Sequence, residues 1–165
     1  MKKLVSFFLA SAFCICCVVP SFAAEAAPAS SSKSVISVSE EELGNGFTVE
    51  TVISIPKEAG KRLQVNDANQ SRTAQKTQTV RHGSDFVGSM TMTVNFGYNG
   101  FSSWVNSIST SHSMASGWSF TNEQTWSSGG TANMSASMVQ KLGFLTLAEV
   151  DPSMSLTCAP SGAIS

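Results

Sequence analysis

The sequence predicts an all-β protein, a small antiparallel β-sandwich of about seven short strands. Apolar and polar residues alternate with period two through most of the chain after residue 71. Turn signals such as Asn-Gly and Gly-Gly recur roughly every 8–12 residues. No stretch carries the apolar stripe of an amphipathic helix over three turns. Together these patterns are typical of two antiparallel sheets packed face to face.

The first 23 residues have the three parts of a secretory signal peptide. Two lysines form a basic start, residues 4–19 are apolar apart from two serines, and small residues occupy Ser21 and Ala23. We expect cleavage after Ala23, or alternatively after Ala24, and a secreted, extracellular protein. The alternative is an uncleaved membrane anchor, but the apolar run is shorter than the ~20 residues of a spanning helix. No later apolar stretch is long enough to span a membrane.

The rest of the chain divides into three segments by composition. Residues 24–42 are rich in Ala, Ser and Glu, which is typical of a flexible leader. Residues 43–70 hold one strand, at 47–55, and a polar linker. Residues 71–165 form the predicted sandwich domain.

Within the sandwich domain, strand 73–81 has few apolar residues, so we predict that it lies at a sheet edge. The segment 111–116 is predicted to be a loop. Further strands are predicted at 86–96, 101–110, 118–126, 131–140, 142–150 and 152–158.

The stretch 86–96 has the clearest alternation. Met90, Met92, Val94 and Phe96 fall on one side and are predicted to build the core. Thr91, Thr93 and Asn95 fall on the other side, which is predicted to face solvent.

Four cysteines reduce to one after signal cleavage, because three of them lie in the apolar run. The remaining Cys158 has no partner for an internal disulfide. Since it alternates with Met154 and Leu156, we expect a small buried apolar residue. The alternatives are an intermolecular bridge and a reactive thiol.

The chain from Arg72 to Ser165 resembles a family of small secreted proteins of Gram-positive bacteria, a domain of unknown function. The motifs that carry the resemblance are R-T-A-x-K-T at 72–77, F-x-Y-N-G at 96–100, G-W-S-F at 117–120, S-G-G-x-A at 128–132 and S-L-T-C-A-P-S-G-A-I-S at 155–165, with E-L-G-N-G-F-T-V-E-T at 42–51 upstream. The resemblance implies a secreted β domain and supplies no activity. This sequence departs from the family at Trp126, where small or polar residues are typical, and it has fewer lysines on its outward faces.

Charge and composition exclude several function classes. From Ser71 onward the chain has four basic and four acidic residues, so it has no basic stripe for a phosphate backbone. Nucleic acid is therefore not an expected partner, and the overall charge gives no support for attraction to anionic membranes. Two histidines and one distant cysteine do not make a metal site, and no glycine loop fits a phosphate or a cofactor.

No catalytic residue can be nominated. His82, Ser84 and Asp85 share one turn, where three neighbours cannot usually form a hydrolase triad, so solvated turn residues are the preferred interpretation. The four acids of the compact part fit turns or outward positions, and no pair of them predicts hydrolysis.

One low-charge surface is a candidate binding site. In strand 118–126, Trp118 and Phe120 look like core anchors, but Asn122 and Gln124 on the same side do not belong in an apolar core. This side of the strand is therefore expected to face the core only over its first part. Trp126 is then exposed to solvent beside the amide groups. The alternative is that a bulge restores the inward phase and buries Trp126.

These observations predict a secreted, non-enzymatic binding module that acts outside the cell or at the envelope, with a glycan or a protein as partner. A small antimicrobial, bacteriocin-like protein is the alternative function. An enzyme ranks last.

Overall fold

The computed structural model describes residues 33–56 and 69–165. The predicted signal peptide, its cleavage sites at Ala23 and Ala24, and most of the predicted leader and linker lie outside the described residues. In the described ranges, no helix is long and apolar enough to cross a membrane.

Within residues 33–56 and 69–165, nine strands form two antiparallel sheets, which confirms the all-β prediction. The strands are β1 (Lys33–Gly44), β2 (Phe47–Pro56), β3 (Gln70–His82), β4 (Asp85–Tyr98), β5 (Ser103–Met114), β6 (Trp118–Ser128), β7 (Thr131–Leu142), β8 (Leu145–Val150) and β9 (Ser153–Thr157).

The first sheet follows chain order from β1 to β5, so each strand pairs with the strand that follows it in the chain. In the second sheet, β7 is central. It pairs with β6 on one side, and on the other side with β8 over one half and β9 over the other half. The break between these two short strands falls at Asp151 and Pro152, and Pro152 has no backbone N–H for a ladder bond.

The flexible leader predicted at residues 24–42 is wrong from residue 33 onward, because β1 begins there. Every residue of β1 is exposed, but its backbone pairs with β2 from Lys33↔Pro56 to Gly44↔Phe47. The Ser- and Glu-rich composition reflects the lack of burial. Backbone pairing with β2 and a hydrogen bond from the Lys33 side chain to the Gln75 amide oxygen hold the strand in place, and no burial signal marks it in the sequence.

The prediction that strand 73–81 lies at an edge is also wrong, because β3 runs between β2 and β4. Its polar residues are used on both faces. On the outer face, the Thr77 and Thr91 hydroxyls lie 3.0 Å apart, and the Gln75 amide donates to the Thr93 hydroxyl at 3.1 Å. Cross-strand hydroxyl and amide pairs stabilise the sheet without apolar burial.

Two further boundaries differ from the predictions. The segment 111–116 was predicted as a loop, but β5 continues to Met114. The apolar stretch 142–150, which Gly143 interrupts in the sequence, does not begin a new strand at 142: β7 continues to Leu142, and β8 begins at Leu145 after a turn in which Gly143 has a φ of +62°, a conformation that glycine adopts readily.

The predicted core face of β4 is confirmed. Met90, Met92, Val94 and Phe96 are fully buried. They belong to one core cluster with residues of the second sheet, Ala132, Met134, Ala136, Met138 and Leu156. The core therefore lies between the sheets, and β4 and β7 each supply its central row.

Three polar side chains of β3 reach across the core to backbone carbonyls of the C-terminal segment. Arg72 donates to the Gly162 oxygen at 2.6 Å, Lys76 to the Ser155 oxygen at 2.9 Å and Gln78 to the Ser153 oxygen at 3.1 Å. Partial burial lowers the pKa of Lys76. The Lys76 and Gln78 bonds satisfy carbonyls of β9, an edge strand of the second sheet, and so join the two sheets, whereas the Arg72 bond holds the segment that follows β9.

Cys158 is buried, with 1% of its surface exposed, as the sequence predicts. A thiol in this position cannot reach a second molecule without local opening. Burial raises the pKa of Cys158, and the nearby positive charge of Arg72 opposes that effect.

We expect alkylation of Cys158 by iodoacetamide at neutral pH to be at least about tenfold slower in the native protein than in urea. Burial blocks access, and the raised pKa leaves less of the reactive thiolate. Mass spectrometry of the peptide that carries Cys158 measures its rate separately from the N-terminal cysteines. Equal rates with and without urea would contradict the burial.

Candidate functional site

A bulge in β6 determines which face Trp126 occupies. The register with β7 runs through Thr121↔Ser137 and resumes at Gln124↔Ser135, so β6 has one extra residue there. Asn122 has a φ of +55°, a left-handed conformation that Asn tolerates better than most residues. The bulge moves every later side chain of β6 to the opposite face.

Before the bulge, Trp118 and Phe120 pack against the core. After it, Gln124 and Trp126 lie on the outer face of the second sheet, opposite the outward residues of β7. Trp126 is 50% exposed. It is therefore not a core residue, and a bulge does not return it to the interior.

The surroundings of Trp126 follow from the register. Trp126 lies opposite Asn133, and Asn133 lies opposite Ser155 on β9. The neighbouring rows also contain only hydroxyl and amide side chains. We call this surface the Trp126 face; it comprises Gln124, Trp126, Ser128, Thr131, Asn133, Ser135, Ser153, Ser155 and Thr157.

Asn122 lies beside this face, where its amide donates to the Ser137 hydroxyl at 3.3 Å. The structure therefore brings the three residues predicted from the sequence, Asn122, Gln124 and Trp126, to one side of the sheet. Sequence reasoning missed Asn133 and Ser155 as neighbours of Trp126. Their outward positions could be predicted from the alternation, but the register that aligns them with Trp126 could not.

None of the residues that make up the Trp126 face is ionisable. Their hydroxyl and amide groups both donate and accept hydrogen bonds, and the indole adds a broad apolar surface. Such a surface can bind a ligand, but these side chains supply no proton donor or acceptor suited to acid–base catalysis.

The two histidines lie elsewhere and pack against aromatic rings. The His82 ring lies 4.7 Å from the Phe47 ring, and its Nε2 is 3.2 Å from the Asn45 carbonyl oxygen. The His112 ring stacks on Phe120 at 4.1 Å. Within residues 33–56 and 69–165, no cluster of three or more His, Cys, Asp or Glu side chains could hold a metal ion.

A second tryptophan lies on the outer face of the first sheet. A bulge in β5 near Asn106 places Trp104 outward, opposite Gly97. Strict alternation would place Trp104 and Ile108 on the same face, and the bulge puts them on opposite faces. A Cβ at position 97 would collide with the indole, so only glycine allows the ring to lie against the strand there.

Trp104 is held by a chain of hydrogen bonds. Its Nε1 donates to Asn106 at 2.9 Å, the Asn106 amide donates to Asn95 at 2.8 Å, and the Asn95 amide donates to the Thr73 hydroxyl at 3.1 Å. The Trp104 indole lies against a strand, and its N–H group already donates a hydrogen bond within the protein. Trp126, which is half exposed, is the stronger binding candidate.

In comparisons with known proteins, no family model, curated protein or solved structure matches this chain.

Proposed function

We propose that this protein is a secreted, non-enzymatic binding module that holds an uncharged glycan of the cell envelope on the Trp126 face. The observation that carries the proposal is a half-exposed indole on the edge strand β6, beside a row of hydroxyl and amide side chains on β7 and β9. Its setting outside the cell rests on the signal-peptide pattern of the first 23 residues.

The chemistry of the face favours a sugar over other ligands. The C–H groups of a sugar ring pack against an indole, while its hydroxyls exchange hydrogen bonds with amides such as Gln124 and Asn133. A face without charge has no arginine or lysine to pair with a phosphate or a carboxylate. A neutral glycan therefore fits better than an anionic polymer.

We expect Trp126→Ala to weaken binding to a neutral polysaccharide at least about tenfold, with a stability loss well below the ~3–5 kcal/mol of a buried tryptophan. Insoluble cell-wall preparations and a panel of immobilised neutral glycans are the probes. Co-sedimentation and surface binding measure affinity, and urea unfolding measures stability.

Phe101→Ala is the matched control, because Phe101 is exposed and lies outside the Trp126 face. It should leave binding unchanged. Gln124→Ala should weaken binding partially. Absence of binding to every glycan tested, or equal binding by Trp126→Ala and the unaltered chain, would contradict the proposal. Binding of a protein, in place of a glycan, to the Trp126 face would show that the partner is a protein.

A further inference from the structure

The side chains of the Trp126 face form rows that cross the strands. In the central row, Trp126 on β6 lies opposite Asn133 on β7, and Asn133 lies opposite Ser155 on β9. Neighbouring strands are about 4.8 Å apart, so the row spans roughly 10 Å. Along a single strand, outward side chains are two residues apart and repeat at about 6.6 Å. The face therefore offers a ligand two different intervals, one in each direction.

The face is obstructed along the strands at the bulge. The next outward residue of β7 there is Ser137, which is buried and accepts a hydrogen bond from the Asn122 amide. The central row, by contrast, ends at the edge strand β6 on one side and at Ser155 of β9 on the other. Among the described residues, no strand continues the sheet beyond these two positions. A chain-like ligand on the central row therefore meets no further strand at either end.

The hydrogen-bonding groups of the central row remain available to a ligand. On the outer face of the first sheet, comparable groups bond one another, as the Thr77 and Thr91 hydroxyls do at 3.0 Å. On the Trp126 face, the cross-strand side-chain bond within the described residues joins Thr131 and Thr157, which belong to a flanking row. The central row thus keeps an indole N–H, an amide and a hydroxyl for contacts outside the protein.

We propose that the glycan on the Trp126 face is an extended, neutral β-1,4-linked chain that crosses the strands, with successive sugar units on Trp126, Asn133 and Ser155. This inference rests on the proposed function and narrows its ligand to one class. In such a chain, each unit advances about as far as the distance between neighbouring strands, so consecutive units meet consecutive members of the row. An α-1,4-linked chain curves into a helix and loses this match.

Titration of the full chain with β-1,4-linked oligomers of glucose and of N-acetylglucosamine, one to six units long, tests the proposal. The NMR signal of the Trp126 indole N–H reports binding. We expect the affinity for the series that binds to rise at least about tenfold from one to three units, above the statistical factor of about three for a one-unit site. From three to six units, it should rise less than about fourfold. Malto-oligosaccharides, the same glucose units in α-1,4 linkage, are the matched ligand control and should not exceed the statistical factor.

Two variants locate the second and third sugar units. Asn133→Ala and Ser155→Ala should each weaken binding of the three-unit ligand at least about threefold and leave binding of the single sugar unchanged. Ser111→Ala is the matched control, because Ser111 is exposed on the outer face of the first sheet, opposite Thr91. It should leave binding of every length unchanged. Urea unfolding checks that each variant keeps its stability.

The outcomes separate this inference from the proposed function. A one-unit affinity equal to the three-unit affinity, an equal rise with length in the α-linked series, or unchanged three-unit binding by both Asn133→Ala and Ser155→Ala would overturn the crossing chain. Each of these results would still leave a sugar on Trp126. Binding of other neutral glycans without either β-1,4-linked series would also overturn the inference alone. Absence of binding to any glycan would overturn the proposed function itself.

Discussion

Met92→Asp is expected to unfold the sandwich, whereas Thr93→Asp, one position along β4, is expected to leave it folded. Met92 is fully buried between the sheets. A carboxylate there has no partner and loses its hydration, so we expect a loss of more than about 4 kcal/mol in the free energy of unfolding. That is a large share of the ~5–15 kcal/mol stability of a typical domain.

Thr93 is the matched control, because its side chain points to the outer face and accepts a hydrogen bond from the Gln75 amide. An aspartate can accept the same bond, so we expect a change within about 1 kcal/mol. Urea unfolding followed by far-ultraviolet circular dichroism measures both variants. Similar losses at positions 92 and 93 would mean that the register of β4 is wrong.

Gly130→Ala has the second largest expected effect, because the turn between β6 and β7 packs closely against the C-terminal segment. A Cβ at Gly130 would lie 2.5 Å from the Cys158 carbonyl oxygen and would also collide with Ser103. The Gly130 carbonyl accepts the Cys158 N–H at 2.8 Å, and the Ser103 hydroxyl donates to the Cys158 oxygen at 2.6 Å. A backbone oxygen cannot move aside without breaking these bonds, so we expect a loss of about 3 kcal/mol.

Gly129→Asn provides the comparison in the same turn. Gly129 has a φ of +54° and open space around its Cα, and Asn tolerates that conformation. We expect it to cost less than about 1 kcal/mol. Thermal or urea unfolding of the two variants decides the matter. A larger loss for Gly129→Asn than for Gly130→Ala would contradict the close packing of Gly130.

The sequence predicts the core more reliably than the position of each strand in the sheets. In β4, every second residue is apolar, and burial follows that alternation. In β3, Lys76 and Gln78 point towards the second sheet but look like surface residues, because a distant backbone supplies their partners. β1 has no burial signal at all, so its composition resembles that of a linker.

Bulges explain the remaining differences at the candidate site. After each bulge, the later side chains of the strand point to the opposite faces of the sheet. One extra residue hardly changes the alternation of apolar and polar residues in the sequence, so the bulge is difficult to predict. In β6 the change of face is visible in the sequence, because Asn122 and Gln124 interrupt an apolar side. That interruption allowed the exit of Trp126 from the core to be predicted. In β5, Asn106 lies between Val105 and Ser107 and interrupts no apolar side, so nothing in the sequence distinguishes the position where Trp104 turns outward.

The exposed first strand also affects the solubility of the protein. β1 is the edge of its sheet, and no strand among the described residues pairs with its far side. Val35 and Val38 are exposed along this edge, which makes it a template for fibril-like association between molecules. The bulge at Ile36 interrupts the regular spacing, and the three consecutive carboxylates from Glu40 to Glu42 disfavour the approach of another strand. This short acidic run is therefore a gatekeeper against aggregation, although it contributes nothing to the core.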